Sequence, residues 1–306
     1  MPSTEGSGLR GVIAAAPTPV TADLQPDLRR FVRLCRWLLD NGCDALNVCG
    51  TNGEATSFTR EERMAIMQAA ADELPLQRLM TGTGAASVGD AVALTKHAAA
   101  LGFAGALLLP PFYYKGVSDD GILAYFERIV ASTADEPIDL YLYNFPQLSG
   151  VEYTLALVER LRGEFGGRIA GVKDSSGKPG HAEKIVALSP ELRVFPSSEE
   201  VLLKARAGAF AGCISGSANV TSALSARAFH DGDEAALQTA CVIRALIFRN
   251  PPIPSLKAVL AARFADPALE TVLPPLTPLS DEVKRQLLKD VAAAGAEPGA
   301  GLHESE

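Results

Sequence analysis

The chain has 306 residues, of which 47% are hydrophobic and 21% charged, and its formal net charge at pH 7 is −8. This composition is typical of a soluble globular protein and excludes a disordered, collagenous or coiled-coil chain. The acidic excess argues against non-specific binding to nucleic acid or to an anionic membrane, because phosphates would be repelled, although a few local donors can still bind a small anion.

The sequence predicts neither a membrane span nor a secreted protein. No stretch approaches the roughly 18 apolar residues of a span, and the start MPSTEGSGLRG lacks the basic and apolar regions of a secretory signal. The five cysteines are an odd number without a CxxC pair, so we expect buried free thiols and a cytoplasmic location. The four histidines are scattered, which predicts no metal site.

From residue 11 onward, short apolar runs alternate with longer amphipathic segments. The apolar runs lie at 11–19, 44–51, 78–84, 105–113, 139–146, 169–176, 192–198 and 211–218. They are continuously apolar, which is typical of parallel strands that are covered on both faces. Segments such as 59–74 and 118–133 open with Thr or Ser followed by acidic residues, and this pattern indicates a helix N-terminus.

Eight strand–helix units in about 220 residues predict an α/β fold, a (β/α)8 TIM barrel. The alternative is a doubly wound open sheet, but such sheets usually have fewer strands, and no GxGxxG follows the first strand here. After residue 220 only helical patterns follow. We therefore predict a barrel over residues 9–232 and a C-terminal helical extension over 233–294. Residues 1–8 and 295–306, rich in Gly, Ser, Glu and Pro, are expected to be flexible tails.

Four groups of polar residues fall at predicted strand ends, where barrels place their active sites: Thr18, the turn 50–54, Tyr143 and Lys173. Lys173 is the most informative because it follows the apolar run 169–172, whereas the other eight lysines lie in helical or loop contexts where solvent is expected. Burial favours the neutral amine, which is the form that attacks a ketone. A structural lysine paired with an acid inside the barrel explains the position equally well.

The turn and the tyrosine also have structural explanations. The turn Gly50-Thr51-Asn52-Gly53-Glu54 can point several backbone N–H groups at a carboxylate, or it is simply a tight, capped connection. The hydroxyl of Tyr143 can carry a proton, although a strand-end tyrosine is more often a packed aromatic residue. An amine, a carboxylate site and a phenol at one end of a barrel jointly suggest Schiff-base chemistry on a 2-oxo acid.

Five segments carry a resemblance to a known family. In chain order they are ALNVCGTNGEATSFTREE (45–62), LLLPPFYYKGVSDDG (107–121), LYNFPQLSG (142–150), GVKDSSG (171–177) and GCISGSANV (212–220). These segments, together with the C-terminal helices, resemble the dihydrodipicolinate synthase / N-acetylneuraminate lyase family of class I, pyruvate-handling aldolases. The resemblance implies covalent catalysis without a metal or organic cofactor, because the imine on the lysine is itself the electron sink.

The resemblance also implies roles for particular residues. Lys173 would form the imine with the 2-oxo acid, and Tyr143 would be the general acid and base. Gly50, Thr51 and Asn52 would bind the carboxylate, mainly through backbone N–H groups, and Thr51 is counted with the catalytic residues. Relatives usually carry Thr or a similar residue where Asn52 stands, so carboxylate binding is kept while a relay through that side chain is not.

Further roles concern the subunit interface and the distal part of the substrate. Tyr113 matches a tyrosine of a proton relay that approaches the neighbouring subunit's site, with Tyr114 as an alternative, so we expect a homo-oligomer, a tetramer built from dimers. The main chain of Ile214 would border the pyruvate-derived part of the substrate. Candidates for contacts to sugar hydroxyls are Ser175, Ser197, Ser198, Glu199 and Ser215.

One departure concerns the second substrate. In the synthase branch, the loop after the catalytic tyrosine carries an arginine that binds the second substrate's carboxylate, and Leu148 stands at that position here. A leucine cannot form a bidentate pair with a carboxylate. The loop is more similar to those of lyases and sugar-acid aldolases, which disfavours 4-hydroxy-tetrahydrodipicolinate synthase activity.

The function expected from these features is a lyase or aldolase that reversibly releases pyruvate from a 2-oxo-3-deoxy sugar acid or a sialic-acid-like substrate. A dehydratase or deaminase of a related 2-oxo acid needs the same lysine and tyrosine, so the sequence does not separate these reactions. Outside the enzymes, the alternative is an idle barrel that senses 2-oxo acids. The complete set of Lys173, Tyr143 and Thr51 argues against that alternative.

Overall fold

The computed structural model describes residues 8–295, and its centre is a barrel of eight parallel strands. The strands are β1 (Gly11–Ala15), β2 (Ala45–Val48), β3 (Leu79–Gly82), β4 (Gly105–Leu108), β5 (Leu140–Asn144), β6 (Ile169–Asp174), β7 (Arg193–Pro196) and β8 (Gly212–Ser215). They are hydrogen-bonded in the order β7-β6-β5-β4-β3-β2-β1-β8. Across the remaining seam, Ala211 N donates to Val194 O at 3.0 Å. The predicted TIM barrel is confirmed.

One principal helix follows each strand and covers the outside of the barrel. These helices are α1 (Leu28–Asp40), α2 (Arg60–Glu73), α3 (Val88–Leu101), α4 (Asp119–Ser132), α5 (Leu155–Phe165), α6 (His181–Leu188), α7 (Leu202–Arg206) and α8 (Ala218–Ala226). The predicted starts of α2 and α4 are present, since Thr59 forms a capping box with Glu62 and Ser118 accepts from Gly121 N. The strands are shorter than the apolar runs because each run continues into the connection that leaves the barrel.

Three more helices form the predicted C-terminal extension: α9 (Glu234–Phe248), α10 (Pro252–Phe264) and α11 (Asp281–Ala293). Asp233 caps α9 by accepting from Ala236 N at 2.9 Å. Most residues of α10 are buried, so this helix belongs to the core rather than to the surface. Of the predicted tails, residues 1–7 and 296–306 lie outside the described residues.

Alternate strand residues face the barrel axis and the surrounding helices. On β5, Tyr141 and Tyr143 point into the barrel, while Leu140 and Leu142 pack against helices. Both sides of each strand are therefore apolar, which explains the continuous runs in the sequence. The same alternation turns Val172 outward and Lys173 inward.

Tyr141 fills the barrel near the N-terminal ends of the strands. A Cβ on Gly105 or on Gly171 would come within 2.9 Å of its ring, so glycine at both positions makes room for the aromatic side chain. Arg193 donates to the Tyr141 hydroxyl at 2.6 Å and to Asp139 at 2.9 Å. Burial raises the pKa of Tyr141 to about 12, so it stays a neutral phenol. The barrel is thus packed at this end, and space for a ligand is left at the other.

Among the described residues, no helix combines the length and apolarity needed to cross a bilayer. All five cysteines are free thiols, and four of them are buried. Burial raises the pKa of Cys43 to about 12 and that of Cys49 to about 11. These thiols are therefore protonated at neutral pH and behave as small apolar side chains.

Candidate active site

Lys173 and Tyr143 lie next to each other inside the barrel. They are register partners on β6 and β5, and each is only 4% exposed. The Lys173 Nζ lies 4.2 Å from the centroid of the Tyr143 ring. Within residues 8–295, no carboxylate oxygen lies within 4 Å of that nitrogen. The barrel therefore does not hold the interior acid that the structural explanation of this lysine requires.

The turn after β2 lies next to Tyr143. Thr51 Oγ1 lies 3.3 Å from the Tyr143 hydroxyl, so either group can donate to the other. Glu54 N donates to Thr51 O, which closes the turn. In the part of the chain that the structure describes, the N–H groups of Thr51 and Asn52 have no acceptor. Two such N–H groups beside a buried amine are donors of the kind that can bind a carboxylate.

Small residues allow this turn to pack tightly against the barrel. A Cβ on Gly53 would lie 3.1 Å from Ala16 O and 3.2 Å from Thr18 Oγ1, at the end of β1. Thr18, a candidate from the sequence, is fully buried behind the turn and does not line the mouth. A Cβ on Gly50 would lie only 2.5 Å from Asn47 Nδ2. A side chain at position 50 would displace the buried Asn47 amide, and one at position 53 would press on β1, so glycine is favoured at both positions.

The sequence analysis missed a buried hydrogen-bonded pair beside the lysine and the tyrosine. Asn144 Nδ2 donates to Asp174 Oδ1 at 2.9 Å, and Asn144 Oδ1 accepts from Tyr153 N at 3.0 Å. Asp174 also accepts from Ser176 N. Each member of the pair directly follows an inward-facing residue, so it points outward and joins the ends of β5 and β6. The sequence did carry a signal for this pair. A polar residue directly follows each candidate, Asn144 after Tyr143 and Asp174 after Lys173, on neighbouring strands.

A cavity of about 270 Å³ adjoins Thr51 and Tyr143. Its walls are largely apolar and include Leu107, Leu109, Phe112 and Leu148. Leu148 is 58% exposed, so a large apolar side chain borders the entrance where the synthase branch would carry arginine. Space for the distal part of a substrate therefore exists beside the tyrosine.

Ser175 and Ser197 were expected to contact the distal part of the substrate, and the main chain of Ile214 was expected to border its pyruvate-derived part. Ser175 and Ser197 are partly exposed just beyond β6 and β7, where Ser197 N donates to Asp174 O at 3.0 Å. Ile214 is buried in the inner apolar cluster of the barrel, as a residue bordering the substrate requires. The contacts of these three residues with a substrate stay a prediction.

The expectation for Ser215 was wrong. Because Ile214 points inward, Ser215 points outward, and it is buried with its hydroxyl donating to Glu199 Oε2 at 2.9 Å. Glu199 is also fully buried, and Thr221 donates to its second oxygen. Ser198 accepts from Glu200 N and caps the turn after β7. The hydroxyl of Ser215 and the carboxylate of Glu199 are therefore occupied behind the barrel wall.

Tyr113 and Tyr114 lie in the loop after β4 and point into solvent. They are 74% and 73% exposed, and their rings meet edge to face with centroids 5.3 Å apart. Neither hydroxyl has a hydrogen-bond partner in the described chain. The role of Tyr113 at a neighbouring subunit's site stays a prediction.

A second correction concerns Lys257, which was expected in solvent. This lysine is 1% exposed, and its Nζ donates to the carboxylate of Glu54 and to Thr271 O. Its helix, α10, is covered on nearly all sides, and the apolar run IPSLKAVLAA (253–262) carried the signal for that burial. Glu54 belongs to the same turn as Thr51, so the C-terminal extension contacts the candidate site.

Comparison with known proteins agrees with this geometry. The model of the dihydrodipicolinate synthetase family matches residues 8–294. An uncharacterized DapA-like lyase of Chloroflexus aurantiacus is 34% identical over 280 residues, which cover 89% of this chain and 93% of the relative.

Two solved structures are also similar. YagE of Escherichia coli K12, in complex with pyruvate, has a TM-score of 0.85 at 28% identity, covering 94% of this chain and 99% of YagE. The dihydrodipicolinate synthase of Agrobacterium tumefaciens has a TM-score of 0.87 at 30% identity, covering 93% of this chain and 99% of that protein. The chain therefore belongs to the dihydrodipicolinate synthetase family of lyases and aldolases.

Proposed function

We propose that the chain is a Schiff-base lyase or aldolase that reversibly releases pyruvate from a 2-oxo-3-deoxy sugar acid or a sialic-acid-like substrate. The observation that carries the proposal is the Lys173 amine over the Tyr143 ring, without a neighbouring acid, beside the unpaired N–H groups of Thr51 and Asn52. An amine, a proton carrier and a carboxylate site are the groups that imine chemistry on a 2-oxo acid requires.

In this mechanism the substrate carboxylate binds the N–H groups of Thr51 and Asn52. The Lys173 amine attacks C2, and loss of water gives the imine. Tyr143 gives its proton to the departing water as the imine forms, and the resulting phenolate takes the proton of the C4 hydroxyl as the C3–C4 bond breaks. The electron pair of that bond moves toward the imine nitrogen, and the aldehyde leaves. Tyr143 then passes the proton to C3 of the enamine, and water hydrolyses the imine to release pyruvate and the free Lys173 amine. Because the imine nitrogen accepts the electrons, the proposal includes no metal or organic cofactor.

The similarities support two substrate classes. The putative 2-dehydro-3-deoxy-D-gluconate aldolase YagE is 29% identical, which supports a sugar acid. The 4-hydroxy-tetrahydrodipicolinate synthase of Synechococcus is 32% identical, which keeps synthase activity as the second candidate. Leu148 favours the first class, because its side chain cannot pair with the carboxylate of a second substrate.

Release of pyruvate from a panel of 2-oxo-3-deoxy acids, followed with lactate dehydrogenase, tests the reaction. We expect pyruvate from at least one sugar acid. Loss of substrate without pyruvate would instead indicate a dehydratase or deaminase. Condensation of pyruvate with aspartate semialdehyde would indicate the synthase, and binding of 2-oxo acids without turnover of any kind would indicate a sensor.

We further propose a homotetramer built from dimers, in which Tyr113 completes the site of the neighbouring subunit. The supporting observation is the pair of exposed aromatic rings, Tyr113 and Tyr114, since large aromatic side chains left in solvent are typical of interfaces. Sedimentation should therefore show a tetramer at micromolar concentration, and Tyr113→Phe should lower turnover without changing the unfolding temperature. A species of monomer mass would contradict this proposal. Full activity of Tyr113→Phe beside an inactive Tyr114→Phe would assign the role to Tyr114.

A further inference from the structure

A buried ion pair joins the carboxylate turn to the C-terminal extension. Lys257 Nζ on α10 donates to Glu54 Oε1, and both side chains are almost fully enclosed. The other Glu54 oxygen accepts from Leu273 N at 2.6 Å, and Lys257 also donates to Thr271 O at 2.7 Å. Burial lowers the pKa of Lys257, and the Glu54 carboxylate opposes that shift. The pair is thus held by segments that are more than 200 residues apart in the chain.

Glu54 occupies an unusual position for a charged residue. Its backbone has φ 54°, in the left-handed region that residues other than glycine seldom adopt. Backbone hydrogen bonds hold this conformation within the turn, from Glu54 N to Thr51 O and from Ala55 N to Gly50 O. The Glu54 side chain accepts from Lys257 and from Leu273 N, which lie outside the turn. A carboxylate paired with the C-terminal extension and the free N–H groups of Thr51 and Asn52 therefore belong to the same short turn.

The negative charge of Glu54 disfavours the binding of an anion by that turn. A carboxylate three residues from Thr51, in an enclosed setting, repels the carboxylate of a 2-oxo acid unless a cation compensates it. Within residues 8–295 the cation in contact with Glu54 is Lys257. Removing a polar partner from a buried pair leaves the remaining charge without compensation.

We propose that Lys257 is a positioning residue for the pyruvate site, which neutralises the Glu54 carboxylate in the turn that binds the substrate carboxylate. This inference rests on the proposed function, since it concerns the same carboxylate. It assigns the C-terminal extension a part in substrate binding. If the ion pair were purely structural, its removal would lower the free energy of unfolding but would leave the affinity of the folded protein for pyruvate unchanged.

The test measures the pyruvate concentration that gives half-maximal borohydride trapping at Lys173, together with kcat in the pyruvate-release assay. Lys257→Met leaves Glu54 uncompensated, and we expect the half-saturating pyruvate concentration to rise about tenfold while trapping at saturation is kept. Glu54→Gln removes the repelling charge and keeps an acceptor for Leu273 N, so pyruvate binding should not weaken. The double variant should bind pyruvate nearly as the wild type does.

Weaker pyruvate binding in Lys257→Met but not in Glu54→Gln, with rescue in the double variant, is the signature of charge compensation. An increase of similar size in Glu54→Gln, or no increase in folded Lys257→Met, would overturn the inference. If Lys257→Met does not fold, Lys257→Gln takes its place, because it keeps a donor for Glu54 and Thr271 O but lacks the charge, and the same rise in the half-saturating pyruvate concentration is expected. Lys284→Met is the matched control, because it breaks a half-exposed ion pair with Glu270 in the same extension and should leave pyruvate binding unchanged. Absence of trapping in the wild type would instead refute the proposed function.

Discussion

Pyruvate and borohydride together should label one lysine of this chain, Lys173, because reduction converts its imine into a stable secondary amine. Exposed lysines have pKa values near 10.4 and stay protonated at neutral pH, so they form little imine. Lys173 differs in being buried over the Tyr143 ring with no acid beside it. Peptide mapping by mass spectrometry should place the label between Gly171 and Asp174, despite eight competing lysines.

Two substitutions provide the controls for this labelling. Lys173→Ala and Lys173→Arg should each abolish both the label and turnover, because a guanidinium stays protonated at every accessible pH and cannot attack the ketone. Lys257→Met removes the other strongly buried lysine and should keep the label on Lys173. Labelling spread over several lysines, or surviving in Lys173→Ala, would show that the mechanism is wrong.

The barrel was predictable because each of its units carries a local signal. The run 169–172 is apolar on both faces, as a covered parallel strand must be, and Thr59 and Ser118 mark helix starts in the sequence. Lys173 was detectable for the same reason, since one charge in an apolar strand is conspicuous. Repetition of this unit eight times then leaves few architectures other than a TIM barrel.

The features that the sequence did not reveal depend on registers and on distant contacts. The direction of Ser215 follows from Ile214 facing the axis, and that requires the strand to be positioned to within one residue. The apolar neighbours of Lys257, such as Leu256 and Val259, indicate a buried helix, but they do not reveal that the lysine itself is enclosed or which acid it contacts. Its partner Glu54 lies 203 positions away, beyond the reach of any local pattern.

Tyr143→Phe should reduce kcat by roughly a hundredfold or more, the usual loss when a general acid and base is removed. The substitution deletes the hydroxyl that lies 3.3 Å from Thr51 Oγ1 and keeps the ring that packs under the Lys173 amine. Borohydride should therefore still trap some imine, since the amine and the carboxylate site are intact. Rapid-quench measurement of trapping beside steady-state pyruvate release separates imine formation from bond cleavage.

Thr51→Val serves as the matched variant, because it removes the hydroxyl partner of Tyr143 and keeps the backbone N–H of the turn. If Tyr143 carries the proton, both variants should lower kcat while leaving the half-saturating pyruvate concentration for trapping nearly unchanged. The loss in Thr51→Val should be the smaller one, since the phenol that moves the proton is still present. A Tyr143→Phe variant that cleaves substrate at the wild-type rate would show that another group carries the proton, and equal loss of trapping and turnover would assign Tyr143 to binding instead.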